Sequence, residues 1–144
     1  MDNTAYDDDI AAWALEQVAL LRSGQLQHID AERIAGEIED LGIGERRGLA
    51  SRFVLQQHLL KWQFQAERRG ASWRNTIRVQ RRAIKRILRR TPSLRHMLED
   101  PEWQEEVWDD AVDRAVRETG LEPENFPERC PWSMAQLRDE EFLP

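Results

Sequence analysis

Apolar residues in this chain recur at spacings of three and four, segment after segment, and never in strict alternation. That period puts them on one side of an α-helix, whereas a half-buried strand needs a period of two. β-branched residues are sparse, which also argues against strands. The expected fold is all-α, a helical bundle of about five main helices with a docked, Pro-rich C-terminal tail. With 144 residues, the chain falls in the range of one domain, roughly 100–200 residues. Residues 1–144 are therefore read as a single domain with a monomeric fold.

The first helix is expected to begin near Asp7, because Asp7, Asp8 and Asp9 suit the positive end of a helix dipole. Ile10, Trp13, Ala14, Val18 and Leu21 form its stripe, and Gly24 ends it. Asp30 caps a second helix with Ile34, Ile38 and Leu41 inside, broken by Gly42 and Gly44. A third runs from about Glu45 to Gln65. Its apolar residues occupy two faces, Leu49, Phe53, Leu60 and Phe64 on one and Leu55, Leu59 and Trp62 on the other. It is the central, most buried element. Ser72 caps a fourth helix whose inner stripe is Trp73, Ile77, Ile84, Ile87 and Leu88.

Thr91-Pro92 ends that helix and restarts a short one through Leu98. Asp100-Pro101 opens a fifth, with Trp103, Val107, Trp108, Ala111, Val112, Ala115 and Val116 inside and Gly120 at its end. In the tail a short helix follows Ser133, and Phe126, Trp132, Leu137 and Phe142 anchor it.

The net charge of −6 conceals a strong asymmetry. Residues 1–43 carry 2 basic and 10 acidic side chains, residues 44–97 carry 15 and 2, and residues 98–144 carry 4 and 15. The basic block is concentrated on the outer surface of the fourth helix, at Arg74, Arg78, Arg81, Arg82, Lys85, Arg86, Arg89 and Arg90. Such a face can neutralise phosphates, for which the planar guanidinium is well suited. It makes the chain a candidate binding or adaptor module for an anionic partner, nucleic acid first and an acidic protein second. The competing account pairs these arginines internally with the acidic face of the fifth helix, at Glu102, Glu105, Glu106, Asp109, Asp110 and Asp113. No standard nucleic-acid motif is present, and a pI near 5.2 is not that of a typical DNA binder.

No apolar run approaches the roughly 20 residues of a membrane span. One cysteine excludes an internal disulfide framework. The acidic start, Met1-Asp2-Asn3, lacks the features of a signal peptide, so the expected compartment is the cytoplasm. His28, His58 and His96 do not stand in metal-ligand spacing, and no metal or cofactor is expected. His58 reads as a hydrogen-bonded core histidine. An enzyme of hydrolase or nuclease type would have to use Glu37, His58 and neighbouring arginines; Glu37, Glu39 and Asp40 with Glu45 are an acid/base or metal cluster on one reading and a solvated helix end on the favoured one. A purely structural oligomer is the third reading. Cys130 beside Arg129 has no base close in sequence, so no catalytic residue is assigned. Walker, GxGxxG, GxSxG and CxxC motifs are absent.

Several strings carry a resemblance. They are Tyr6-Asp7…Trp13, Glu37-Ile38…Leu41-Gly42, His58-Leu59-Leu60-Lys61-Trp62-Gln63, Ser72-Trp73-Arg74…Thr76-Ile77…Gln80-Arg81, Pro92-Ser93-Leu94 and Phe126-Pro127…Cys130-Pro131. Together they resemble domain-of-unknown-function family twenty-nine, short bacterial proteins made almost entirely of this region. The resemblance runs from about Tyr6 onward and implies an all-helical cytosolic protein with no activity to carry over. Gly36 departs from the family's tendency to a second glutamate beside Glu37, and Gly44 stands where a serine cap is expected.

Overall fold

The computed structural model describes residues 4–144, and the Met1-Asp2-Asn3 start discussed above lies outside the described residues. All regular structure among these residues is helical: α1 (Ile10–Arg22), α2 (Ala31–Arg52), α3 (Leu55–Phe64), α4 (Ala71–Arg90), α5 (Pro101–Thr119) and α6 (Met134–Arg138), linked by 3-10 turns. The chain forms two compact units, Met1–Glu45 and Arg46–Pro144.

In the first unit, α1 starts three residues later than expected. Asp9 is its cap, because its carboxylate is the one that accepts from the Ala12 N–H, at 3.0 Å. The helix ends as expected at Gly24, whose φ of +74° lies in the left-handed region. There Gln25 N–H bonds back to the Leu20 carbonyl and Gly24 N–H to that of Leu21, the paired bonds of a Schellman ending. Trp13 is buried against the start of α2, and its Nε1 donates to Asp30 Oδ2 at 3.3 Å. Asp30 also caps α2 and donates its own N–H to buried Gln17 at 2.7 Å. Tyr6 packs edge-on against Trp13 and donates to Glu37, while Arg33 lies over the Tyr6 ring and pairs with Asp7. The family strings at Tyr6, Trp13 and Glu37 thus meet in one cluster.

Two expectations fail here. Gly42 and Gly44 do not break α2, which runs on to Arg52. A helical glycine costs only about 1 kcal/mol, too little to stop a helix that continues into a packed segment. Second, Ile38 and Leu41 are 64% and 69% exposed, and Ile10, Val18 and Leu21 of the α1 stripe are exposed as well. Within this unit the helices bury a seam at Trp13 and Gln17 and leave the outer apolar positions uncovered.

In the second unit, the single long helix expected over Glu45–Gln65 is two. The chain turns at Phe53-Val54, where short-range bonds (Val54 N–H to Ser51, Gln57 N–H to Val54) replace the α pattern. The kink lets both Phe53 and Leu55 face inward, and Phe53 meets Trp103 edge-on at 5.2 Å. α3 packs against both α4 and α5. Seven of its ten residues are buried, as expected of a central element. Leu55 and Leu59 join Ile77, Ile84, Leu88, Trp103 and Val107 in one cluster. Leu60 joins Trp108, Ala115 and Phe126 in the other. Phe64, expected inside, is 37% exposed at the helix end, edge-on to Phe126.

Gly70, not Ser72, precedes α4, and Ser72 falls within its first turn. Thr91-Pro92 and Asp100-Pro101 act as expected, ending α4 and opening α5, and Gly120 ends α5 with φ +73°. Ser133 and Gln136 form a reciprocal capping box that starts α6. Buried Phe126 and Leu137, with half-buried Trp132 and Phe142, hold the tail to the body. Trp108 adds an indole bond to the Pro127 carbonyl at 3.2 Å.

Candidate functional site

α4 divides sharply into an apolar and a basic side. Ile77, Ala83, Ile84 and Leu88 are buried, whereas Arg74, Arg78, Arg82, Lys85, Arg86, Arg89 and Arg90 are exposed. Successive residues turn by about 100°, so the exposed cations share a broad arc opposite the core.

Arg81 departs from the other cations of α4. It was expected on the outer surface, yet it is 3% exposed. Its position, four residues beyond Ile77 and three before Ile84, places it on the inner border of the arc. Nε donates to the Leu137 carbonyl at 2.8 Å, Nη1 to Phe142 at 2.7 Å and Nη2 to Gln136 at 3.2 Å. Burial lowers its pKa from the ordinary value, and the carboxylates of Asp139 and Glu140 oppose that shift.

The exposed cations are not consumed by internal pairing. Among the described residues, the side chains of Arg82, Lys85, Arg86 and Arg89 form no hydrogen bond or ion pair. Arg78 bonds only to Asn75 at 2.7 Å, one turn back on the same helix. Arg74 lies over the Trp62 ring at 5.3 Å, a contact that leaves its charge uncompensated. None of these six pairs with the acidic face of α5, so the internal-pairing account does not hold for them.

A second polar group surrounds α3. Lys61, buried, pairs with Glu118 of α5 at 2.6 Å and lies 5.0 Å from the Trp73 ring centre. The bond from Lys61 lowers the Glu118 pKa. His58 is partly buried and its pKa is lowered, first by burial and then by the Lys61 charge. Its Nδ1, expected to be hydrogen-bonded, has no partner among the described residues. Arg69 lies over Trp62 and donates to its carbonyl at 2.6 Å. The two most specific family strings therefore supply an aromatic and cationic seam between α3 and α4.

The other candidates make contacts of their own. Glu37 belongs to the first unit, where it accepts from Tyr6 and raises the pKa of that hydroxyl. His96 is exposed and bonds to the Ser93 carbonyl within its own turn, and His28 is exposed. Cys130 is packed under the tail. Burial raises its pKa, the reverse of what a nucleophile beside Arg129 requires. Sequence reasoning missed Arg81 as a clamp and Lys61–Glu118 as a pair, 57 positions apart in the chain. The only signal for Arg81 was its place beside the apolar stripe, which the density of arginines masked.

The fold defines a small protein that is all-helical among the described residues. The chain belongs to the family described as Domain of unknown function DUF29, whose model matches residues 5–143. No curated protein and no solved structure matches it. No helix among the described residues is long and apolar enough to cross a membrane.

Proposed function

We propose that this protein is a non-enzymatic binding module of the cytoplasm that takes an anionic partner, nucleic acid first, on the exposed face of α4. Arg74, Arg78, Arg82, Lys85, Arg86 and Arg89 carry the contact, with Arg90 at its end. The supporting observation is that six of these cations are solvent-exposed and none is neutralised by a carboxylate among the described residues. A basic arc free of direct ion pairs concentrates polyanions, because each phosphate it neutralises releases condensed counterions. Arginine predominates over lysine, which favours bidentate phosphate geometry over a diffuse cationic coat.

The test is direct. Fluorescence anisotropy of labelled short single- and double-stranded DNA and RNA, titrated with the protein at low salt, should show saturable binding that weakens as salt rises. No change in anisotropy with any of these probes at low salt overturns the reading.

A further inference from the structure

The clamp at Arg81 fixes more than a chain end. It holds the backbone of residues 136–142 against α4, and within that span lie Asp139, Glu140 and Glu141. Two clefts separate this segment from the helix. One, of about 360 Å³, is lined by Lys85 and Arg81 together with Asp139 and Glu140. The other, of about 340 Å³, is lined by Arg74 and Arg78 together with Glu140 and Glu141. Three consecutive carboxylates thus border the same edge of α4 that carries Arg74, Arg78 and Lys85. None of them closes into an ion pair with the helix among the described residues. Asp139 instead turns one oxygen to the Glu141 N–H at 2.9 Å.

Stability alone does not account for all of this arrangement. The segment is held by its carbonyls, by Leu137 in the core and by the Ser133 capping box; Asp139 and Glu140 also support the buried Arg81 charge, whereas Glu141 has no such role. The carboxylates are exposed and spend no direct contact on the arginines beside them. They stand across the two clefts from one edge of the arc. The opposite edge, at Arg82, Arg86 and Arg89, lines neither cleft.

We propose that Asp139-Glu140-Glu141 is an internal competitor for the anionic partner, screening the Arg74, Arg78 and Lys85 edge of α4 and leaving Arg82, Arg86 and Arg89 as the point of first contact. This rests on the nucleic-acid reading of α4 and names how that site is regulated. Neutralising the segment, or drawing it away, opens the whole arc to phosphates.

The test compares three full-length proteins in anisotropy titrations with one labelled 20-nucleotide DNA, single- and double-stranded, at low salt. They are the wild type, D139N/E140Q/E141Q, and the charge-matched control D109N/D110N/D113N on the outer face of α5. The tail substitutions spare the backbone carbonyls that Arg81 holds but remove two charges that support its guanidinium, so circular dichroism and the trypsin cleavage rate after Arg138 check that the fold and the clamp persist. The tail variant should bind about tenfold tighter than wild type, and the control no more than about twofold, as screened surface charges do at a distance. The excess should shrink as salt rises. Equal gains from both variants, or no gain from the tail variant while the wild type binds, overturn the competitor and leave the nucleic-acid reading standing. Absence of binding by all three proteins overturns both.

Discussion

Arg81 Nε donates to the carbonyl oxygen of Leu137 at 2.8 Å, across 56 positions of sequence. A buried guanidinium is costly unless its N–H groups are satisfied. Here all three of its nitrogens find main-chain carbonyls of the tail. Arg81→Met keeps the stem and removes the donors. It should cost about 1–3 kcal/mol, since buried carbonyls lose their partners. The local readout is trypsin cleavage after Arg138, which should accelerate well before global unfolding by urea. An unchanged cleavage rate would show that the tail is held by Leu137 and the capping box alone.

Leu60 is fully buried, among Trp108, Ala115 and Phe126, on the side of α3 away from Leu55 and Leu59. Leu60→Ala should destabilise the protein by about 2–5 kcal/mol in urea unfolding. A loss under about 1 kcal/mol would mean that this second cluster is not a packed core.

The triple variant R78E/R82E/R86E should abolish nucleic-acid binding and leave the melting temperature close to that of the wild type. The reason is that these side chains have no carboxylate partner among the described residues, and exposed substitutions of this kind stay within about 0.5 kcal/mol each. With about four or five phosphate contacts, the wild-type log–log salt slope should be near −4. A large fall in melting temperature that high salt restores would instead reveal pairing with the acidic residues of α5.

Stability should fall on acidification in two stages. The His58 pKa is depressed in the fold by burial and by Lys61, so the unfolded chain takes up a proton first as pH drops below its ordinary value of 6.5. Glu118, depressed by its bond from Lys61, adds a second loss as pH falls below 4.5. Both contributions are present above those values and are lost going down. The Glu118 part is modest because its side chain is 54% exposed. Urea midpoints at pH 7, 5.5 and 4 measure this. His58→Gln should flatten the upper stage and Glu118→Gln the lower. Unaltered pH profiles in both variants would assign the loss to other carboxylates.

The all-helical class, the capping of α2 by Asp30 and of α6 by Ser133, the ends at Gly24 and Gly120, and the proline-marked junctions at Thr91-Pro92 and Asp100-Pro101 were all determined by local sequence. Each depends on groups within a few residues of one another: a carboxylate or hydroxyl oxygen reaching an N–H two or three positions on, a left-handed glycine, a ring that cannot continue a helix. The two-sided burial of α3 was equally legible, because apolar residues on two faces demand neighbours on both. Tertiary structure alone decided where α2 ends, since local glycines weaken a helix less than the burial of Phe53 and Leu55 rewards a turn. It decided that Ile38 and Leu41 stay exposed, because periodicity names a face without supplying the element to cover it. It also sorted the arginines. Eight cations in one helix look alike in sequence, and the tail carbonyls distinguish Arg81 from the rest, because hydrogen bonding across 56 positions depends on the chain's return path.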